Sequence, residues 1–426
     1  PAAAAPAAPA AAATPAPKID TGDTAWMLTS SVLVLMMTIP GLALFYAGMV
    51  RKKNILATLA QSFGATALIT VLWMIIGYSI AFTDGGKNQA FIGGFKYFLL
   101  APMGLNATSS LAPTIPESVY MFFQMTFAII TPALIAGALA DRMKYSAFLL
   151  FMGAWLLLVY CPIAHWVWGG GWLGTKGALD YAGGTVVHLN AGTAGLVAAL
   201  MLGKRKGLGT ENFAPHNLAY SVIGASLLWV GWFGFNAGSA VTSNVNAGMA
   251  AAATQIATAA ATLAWMTAEW IIAKKPSVLG MVSGAVAGLV AITPASGFVD
   301  AGGALIIGLL AGFVCYGSAV HMKKIFGYDD ALDCWGVHGV GGALGAILTG
   351  VFAKNSINSL AHGWLADGNF AQMGLQFLDV GATFVYCGVV TFIILAVLKY
   401  TIGIRVTEEV EIEGLDINLH GEVVHG

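Results

Sequence analysis

The amino-acid sequence predicts an all-α membrane protein that crosses the bilayer eleven times. Of its 426 residues, 58% are hydrophobic and only 9% are charged, whereas soluble domains carry about 25% charged residues. Eleven apolar stretches are each long enough to span the hydrocarbon core as a helix, which takes about 20 residues. They cover residues 25–50, 54–82, 118–140, 145–166, 183–203, 217–241, 247–273, 277–295, 301–322, 333–352 and 372–402. With 19 Lys and Arg against 20 Asp and Glu, the chain lacks the basic surface that a nucleic-acid-binding protein needs.

The chain divides into an N-terminal arm, a membrane domain and a C-terminal tail. Residues 1–17 contain only Ala, Pro and Thr, and prolines at this density prevent a stable helix. We therefore predict a disordered extracytoplasmic arm over residues 1–22, a transmembrane domain over residues 23–402 and a cytoplasmic tail over residues 403–426. Because the first residue is Pro and not Met, we expect a mature form from which a targeting peptide has been removed.

The positive charges in the loops predict the orientation in the membrane. If the N-terminus lies outside, 14 of the 19 Lys and Arg residues fall in inner loops or in the inner tail, and five fall outside. Cytoplasmic loops of membrane proteins carry such an excess of Lys and Arg. The inner group comprises Arg51, Lys52, Lys53, Arg142, Lys144, Lys204, Arg205, Lys206, Lys274, Lys275, Lys323, Lys324, Lys399 and Arg405. The sequence therefore predicts an extracytoplasmic N-terminus and a cytoplasmic C-terminus.

Two sequence patterns recur five spans apart. GLALFYAG at residues 41–48 and GWFGFNAG at residues 231–238 share the pattern G-x-x-x-F-x-A-G. His188 in the fifth span and His338 in the tenth are each followed by glycines four and seven residues later. Because five is an odd number, corresponding spans run in opposite directions. This predicts an inverted repeat of spans 1–5 and 6–10 with the eleventh span outside the symmetry, and substrate paths lie between such repeats.

The two repeated histidines are candidate pore-lining residues. Ionisable side chains inside a membrane usually face the bundle interior or a solute path. The glycines that follow His188 and His338 lie on the same helix face and permit a neighbouring backbone to approach closely. A buried histidine that bonds across helices is the alternative interpretation, and the duplication of the pair favours the path.

The carboxylates in or beside the apolar spans include Asp180, Asp333, Glu269 and Asp379. Asp180 and Asp333 stand eight and five residues before the two histidines, and each is suited to cap the helix that follows. For Asp180, a structural and an electrostatic role both remain open, and for Asp333 a cap is as well supported as any function. Glu269 and Asp379 are expected to be interfacial or interhelical polar groups.

Aromatic residues follow helical spacing in two spans. Phe123 and Phe127 are four residues apart in the third span, and Trp232, Phe235 and Ser239 share one face of the sixth. Such stripes are most often core or lipid contacts. The coincidence of aromatic rings, glycines and a hydroxyl in WFGFNAGS favours a solute-binding surface instead.

These residue types suit a solute that loses its charge before it crosses. Moving an ion into a low-dielectric interior costs on the order of 20 kcal/mol in the Born limit, whereas a cation gains only ~0.5 to 2 kcal/mol over an aromatic face. Aromatic rings therefore collect a cation without carrying it across. Imidazole, with an unperturbed pKa near 6.5, either accepts a hydrogen bond from the neutral solute or relays the proton separately.

Several motifs resemble those of the ammonium transporters, the Amt/MEP/Rh family. The resemblance covers roughly residues 24–422 and follows the bacterial Amt branch. It rests on DYAGGTVVHLNAGTAGLVAALMLGKR at 180–205, PIAHWVWGGGW, GWFGFNAGSA, LDCWGVHGV, IPGLALFYAG and the tail block GIRVTEEVEIEGLDINLHGE.

The resemblance implies a homotrimer in the cell inner membrane, with one narrow pore in each subunit. It implies that Phe123, Trp168 and Ser239 bind ammonium, with Asp180 supporting this substrate-binding site. It implies a pore gate of stacked Phe127 and Phe235, and pore-lining positions at His188, His338, Trp232 and Tyr160. The tail is implied to pack beneath the trimer and to meet a cytoplasmic PII-type regulatory protein. No cofactor and no metal site is expected.

The sequence thus predicts an ammonium transporter or channel that recruits ammonium, deprotonates it near Asp180 and conducts ammonia past the twin histidines. Whether a proton follows along the histidines stays open. An ammonium sensor that signals through its tail is the main alternative. A metalloenzyme built on His188 and His338 lacks an H-E-x-x-H motif, and a channel for urea or water is a further alternative.

Overall fold

The computed structural model describes residues 18–424 and shows an all-helical, multi-pass membrane protein. Within these residues ten helices are long and apolar enough to cross a membrane, and an eleventh apolar helix is shorter. The eleven are α1 (Thr21–Met49), α2 (Lys52–Phe82), α3 (Glu117–Leu139), α4 (Tyr145–Thr175), α5 (Gly184–Leu202), α6 (Leu218–Gly238), α7 (Val245–Ala273), α8 (Val278–Ile292), α9 (Ala301–Phe326), α10 (Trp335–Phe352) and α11 (Ala371–Thr401). The short helix α8 lies within the predicted span at residues 277–295.

Polar side chains set the starts of several helices. The Asp20 carboxylate accepts a hydrogen bond from the Asp23 amide at 2.9 Å at the start of α1. Asn217, Asn244, Ser277 and Asp300 cap α6, α7, α8 and α9 in the same manner. Helix α1 thus begins inside the predicted arm of residues 1–22, and residues 1–17 of that arm lie outside the described part of the chain.

Glycines bring α1 and α6 into close antiparallel contact. A Cβ atom on Gly224 would lie 2.2 Å from the Phe45 amide nitrogen, and one on Gly238 would lie 2.7 Å from the Ser30 Cβ. As α6 proceeds from Gly224 to Gly238, its contacts on α1 move back from Phe45 to Ser30, so the two helices run in opposite directions. The two segments that carry the G-x-x-x-F-x-A-G pattern belong to this one helix pair.

Helices α5 and α10 begin with π-helical turns, and these turns carry the two histidines. A Cβ on Gly192 would lie 2.2 Å from the Gly339 amide nitrogen, and one on Gly342 would lie 2.5 Å from the Gly184 carbonyl oxygen. Each helix therefore offers a glycine to the histidine-bearing turn of the other. The predicted close backbone approach beside the histidines is confirmed.

The tail packs against the rest of the chain. The Asp416 carboxylate accepts hydrogen bonds from the backbone amides of Leu56 and Ala57, at 3.0 and 2.8 Å, near the start of α2. The buried Glu411 carboxylate pairs with Arg405 at 2.8 Å. The Arg142 carbonyl oxygen accepts the Val406 N–H at 3.0 Å. Burial lowers the pKa of the Arg142 side chain to about 10, so the guanidinium stays charged at neutral pH. The tail is therefore docked against the helix bundle over its described residues.

Candidate substrate pathway

A cavity of about 730 Å³, here called the Trp168 cavity, lies at one end of the helix bundle. Its walls come from α3, α4, the segment before α5 and the end of α6. The predicted site residues that line it are Phe123, Phe127, Trp168, Asp180 and Ser239. All four predicted substrate-binding residues and one of the two predicted gate residues therefore share one cavity.

Asp180 holds the start of α5. Its carboxylate accepts four backbone N–H groups, those of Gly183, Gly184, Thr185 and Val186, at 2.6 to 3.1 Å. The Thr185 hydroxyl contacts the same carboxylate at 2.7 Å. A carboxylate is favourable here because the unpaired N–H groups give a helix start positive character. The structure therefore gives Asp180 a capping role, and its negative charge lies at the cavity wall.

Trp168 is fixed in place by the same segment. Its indole Nε1–H donates to the Asp180 carbonyl oxygen at 2.8 Å, so the ring orientation depends on the backbone that the carboxylate holds. Gly183 has a φ of +115°, and a Cβ there would lie 2.5 Å from a Val187 methyl and 3.3 Å from the Trp168 ring. Only glycine fits this turn without strain.

Ser239 presents lone pairs to the cavity. Its hydroxyl donates its single hydrogen to the Phe235 carbonyl oxygen at 2.8 Å. The oxygen is therefore left as an acceptor, and an acceptor beside aromatic faces suits a cation that carries hydrogen-bond donors.

Two phenylalanine rings close the bottom of the Trp168 cavity. Phe127 and Phe235 stack with centroids 4.1 Å apart and planes inclined by 28°. Phe127 also contacts Trp168 edge to face at 5.9 Å and Phe123 at 4.9 Å. Because the side chains of the pair are 1% and 0% exposed, a solute passes this point only if the rings move.

The two histidines lie directly behind the phenylalanine pair. The ring of His188 is 5.9 Å from that of Phe235 and 5.4 Å from that of His338, and the two Nδ1 atoms are 3.4 Å apart. The sequence marked both histidines as candidate pore-lining residues, but their spacing did not show that the two rings are neighbours. The structure places them side by side because the two π-helical turns that carry them pack together.

The contact between the two Nδ1 atoms determines what each Nε2 atom can offer to a solute. One Nδ1–H donates to the other Nδ1, so one ring carries a hydrogen on Nε2 and the other has an Nε2 lone pair. Within residues 18–424, the Nε2 atom of His188 is buried and has no hydrogen-bond partner. The pair therefore retains hydrogen-bonding capacity for a small polar solute inside an otherwise apolar region.

A second and smaller cavity continues beyond His338. It has a volume of about 40 Å³ and is lined by Phe45, Tyr46, Asp333, Val337 and His338 together with residues of α8. The Trp168 cavity, the phenylalanine pair, the histidine pair and this cavity thus follow one another. Their order describes a path through the bundle.

Trp232 and Tyr160 occupy different places relative to this path. The Trp232 ring stacks on His188 at 5.3 Å, and its Nε1–H donates to the Thr293 hydroxyl at 2.8 Å. Tyr160 is fully buried beside Trp73, with ring centroids 6.3 Å apart. Among the described residues, Tyr160 lines neither cavity, so its pore-lining position stays a prediction.

The residue that caps α10 is Asp330. Its carboxylate accepts the backbone N–H groups of Cys334 and Trp335 at 3.1 and 2.7 Å, whereas Asp333 forms an ion pair with Lys323. The capping interpretation of Asp333 is therefore wrong. The sequence contains a signal for this cap: Asp330 precedes His338 by eight residues, as Asp180 precedes His188.

Comparisons with known proteins identify the family. The sequence profile of the Ammonium Transporter Family matches residues 25–425. The chain belongs to this family. An ammonium transporter of Bacillus subtilis (strain 168) is 50% identical over 401 residues, which cover 94% of this chain and 98% of that protein.

Two solved structures share the fold. Saccharomyces cerevisiae Mep2 is 36% identical and superimposes with a TM-score of 0.86, covering 92% of this chain and 88% of its own. A structure described as a sensor Amt protein is 27% identical with a TM-score of 0.85, covering 94% of this chain and 98% of its own. The sequence-based assignment to the ammonium transporters is confirmed.

Proposed function

We propose that this protein is an ammonium transporter of the cell inner membrane, in which ammonium enters at the Trp168 cavity and crosses as ammonia. The proposal rests on the order in which the groups along the path follow one another. An aromatic cavity beside a buried carboxylate leads to a closed phenylalanine pair and then to two adjacent histidines. Family membership agrees with this assignment.

Capture of ammonium follows from the groups at the Trp168 cavity. The faces of Trp168 and Phe123 attract a cation by ~0.5 to 2 kcal/mol each. The Ser239 oxygen offers a lone pair, and the Asp180 carboxylate adds a fixed negative charge at the wall. Together these groups favour a small cation with N–H donors.

Loss of the proton is required before the solute reaches the histidines. Phe127 and Phe235 provide no acceptor and no charge, and an ion in such surroundings faces a Born cost on the order of 20 kcal/mol. Ammonia avoids this cost and hydrogen bonds to His188 beyond the rings. The Asp180 carboxylate already accepts five donors, so its contribution is electrostatic and the proton leaves towards the cavity or along the histidines.

Electrical recording on reconstituted protein separates these two routes for the proton. An ammonium pulse is expected to give a current if the proton follows the histidines. Uptake without a current means that the proton returns to the side from which it came.

The assembly and topology that we propose are a homotrimer whose subunits each carry eleven spans. The inverted repeat is supported by the antiparallel α1 and α6 pair and by the caps Asp180 and Asp330, which stand at equal offsets from the two histidines. The excess of Lys and Arg in alternate loops supports an outer N-terminus and a cytoplasmic C-terminus. We propose that a PII-type regulatory protein meets the tail on that face.

The alternative function is an ammonium sensor that signals through the tail. It is favoured by the likeness to the structure described as a sensor Amt protein and by the docking of the tail against α2. Rapid flux into vesicles supports transport as the main role, whereas ligand binding with negligible flux supports the sensor.

Uptake of labelled methylammonium into vesicles that contain the purified protein tests the proposal. Trp168→Leu is expected to weaken the apparent affinity by about 2- to 30-fold, the equivalent of one cation–π contact. Trp270→Leu is the matched control because the Trp270 side chain is 56% exposed on α7. Both variants are expected to retain the size-exclusion profile of the wild type. Equal uptake by wild-type and protein-free vesicles would refute transport.

A further inference from the structure

One face of α11 carries a row of buried polar side chains. Gln372, Gln376, Asp379 and Thr383 are spaced by four, three and four residues, so they share one face. Their side chains are 6%, 0%, 0% and 0% exposed. Polar groups inside a membrane are costly without partners and usually mark a functional position.

The two glutamines hold the segment that leads to Asp180. The Gln376 amide accepts the Leu179 N–H at 2.8 Å and donates to the Leu179 carbonyl oxygen at 2.8 Å. The Gln372 amide donates to the Gly177 carbonyl oxygen at 2.9 Å. Helix α11 thereby fixes the backbone next to Asp180, although none of these side chains lines the Trp168 cavity.

Asp379 reaches the same segment through Thr185. The Thr185 Oγ1 atom lies 2.7 Å from Asp180 Oδ2 and 2.9 Å from Asp379 Oδ2. A threonine hydroxyl has one hydrogen to donate. Two ionised carboxylates would leave one of these contacts with lone pairs on both oxygens, so one of the two carboxyl groups must carry a hydrogen.

The hydrogen is assigned by counting the donors at each carboxyl group. Each oxygen of Asp180 accepts two backbone N–H groups, so a hydrogen on either oxygen would compete with N–H donors for its lone pairs. Asp379 is fully buried, and the hydroxyl groups of Thr185 and Thr383 face its carboxyl group. Within the described structure it therefore has fewer donors around it than Asp180 has. The hydroxyl of Thr185 therefore donates to Asp180, and Asp379 donates to Thr185.

We propose that Asp379 is a protonated carboxylic acid that acts, through Thr185, as a positioning residue for Asp180 and Trp168. The proposal rests on the proposed function, because the position it controls is that of the ammonium site. Asp379 touches no solute. It keeps Thr185 aimed at Asp180, so that a single negative charge stands at the wall of the Trp168 cavity.

The protonation of Asp379 is tested without any transport assay. The infrared spectrum of the wild type minus that of Asp379→Asn, recorded on folded protein at neutral pH, is expected to contain the carbonyl stretch of a protonated carboxylic acid. The absence of this band would overturn the proposal, whether or not the protein transports ammonium.

The positioning role is tested by methylammonium uptake in three variants. Asp379→Asn is expected to retain wild-type affinity and wild-type current, because the amide donates to Thr185 as the acid does. Asp379→Ala is expected to weaken the apparent affinity about tenfold, since a buried hydrogen bond is lost. Leu378→Ala, a neighbour whose side chain is 41% exposed, is the control and is expected to match the wild type.

The outcomes separate this proposal from the proposed function. Absence of wild-type uptake would refute transport, while the infrared band still decides the state of Asp379. Equal impairment of Asp379→Asn and Asp379→Ala would overturn the neutral-donor role and would instead make Asp379 a group that titrates during transport. If Asp379→Ala does not fold, the affinity of Asp379→Asn and its infrared spectrum decide the question.

Discussion

Replacement of Asp180 by alanine is expected to cause the largest loss of stability of any single substitution at the site. Four backbone N–H groups and the Thr185 hydroxyl would lose their acceptor. Each buried donor left unpaired costs about 1–3 kcal/mol. The sum is a large fraction of the roughly 5–15 kcal/mol by which proteins are stable. We expect the purified variant to melt at a much lower temperature in detergent and to transport no methylammonium.

Asp330→Ala is the matched comparison for Asp180→Ala. Asp330 caps α10 through two backbone amides, so its loss is expected to lower the melting temperature less than the loss of Asp180. Asp180→Asn retains acceptor oxygen while it removes the charge, and we expect it to fold and to bind ammonium more weakly. A wild-type melting temperature for Asp180→Ala would contradict the capping role derived from the hydrogen bonds.

The helices and the family were readable from the sequence because both depend on local patterns. Apolar stretches of about 20 residues define spans without any tertiary information. The predicted spans match the long helices closely, as residues 183–203 match Gly184–Leu202 and residues 118–140 match Glu117–Leu139. The span at residues 277–295 corresponds to a helix of 15 residues, since the chain turns at Thr293 after the last helical residue.

The contacts of the site were less predictable because they depend on packing between distant segments. His188 and His338 are 150 positions apart. Their local sequences do not predict that the two π-helical turns pack together. Asp330 is not among the predicted caps, although its offset from His338 equals that of Asp180 from His188. Asp379 carried no local signal, because its partner Thr185 lies 194 residues away in sequence. Sequence spacing identifies which residues share a helix face, and packing decides what that face meets.

Removal of the His188 imidazole is expected to reduce uptake strongly while the fold remains intact. In His188→Ala, ammonia would lose its hydrogen-bonding partner behind Phe127 and Phe235. A polar group without a hydrogen-bond partner in apolar surroundings costs about 1–3 kcal/mol. For ammonia in the path, this cost corresponds to a loss of roughly 5- to 150-fold in rate. His188→Ala also removes the ring contacts with Trp232, Phe235 and His338, so we expect the protein to fold with a lowered melting temperature. Methylammonium flux and the melting temperature, measured on the same preparation, test both statements.

His165→Ala is the control for the His188 experiment. Both ring nitrogens of His165 are within hydrogen-bond distance of backbone carbonyl oxygens, with Nδ1 2.8 Å from Ala81 and Nε2 2.7 Å from Gln89. A neutral ring donates one of these bonds and a charged ring donates both. The His165 side chain therefore stabilises the fold through backbone contacts. We expect His165→Ala to lower the melting temperature further than His188→Ala does. The opposite pattern would mean that His188 is a structural residue.

His188→Gln distinguishes the two ways in which an imidazole can serve the path. The glutamine amide offers a hydrogen-bond donor and an acceptor, but it does not exchange a proton near neutral pH. Restored flux without a current would show that the path needs only a hydrogen-bonding group and that the proton moves elsewhere. If uptake is lost in His188→Gln as fully as in His188→Ala, while the wild type carries a current, proton transfer through the imidazole is part of transport. The contact between the two Nδ1 atoms would then be the bond through which the proton passes.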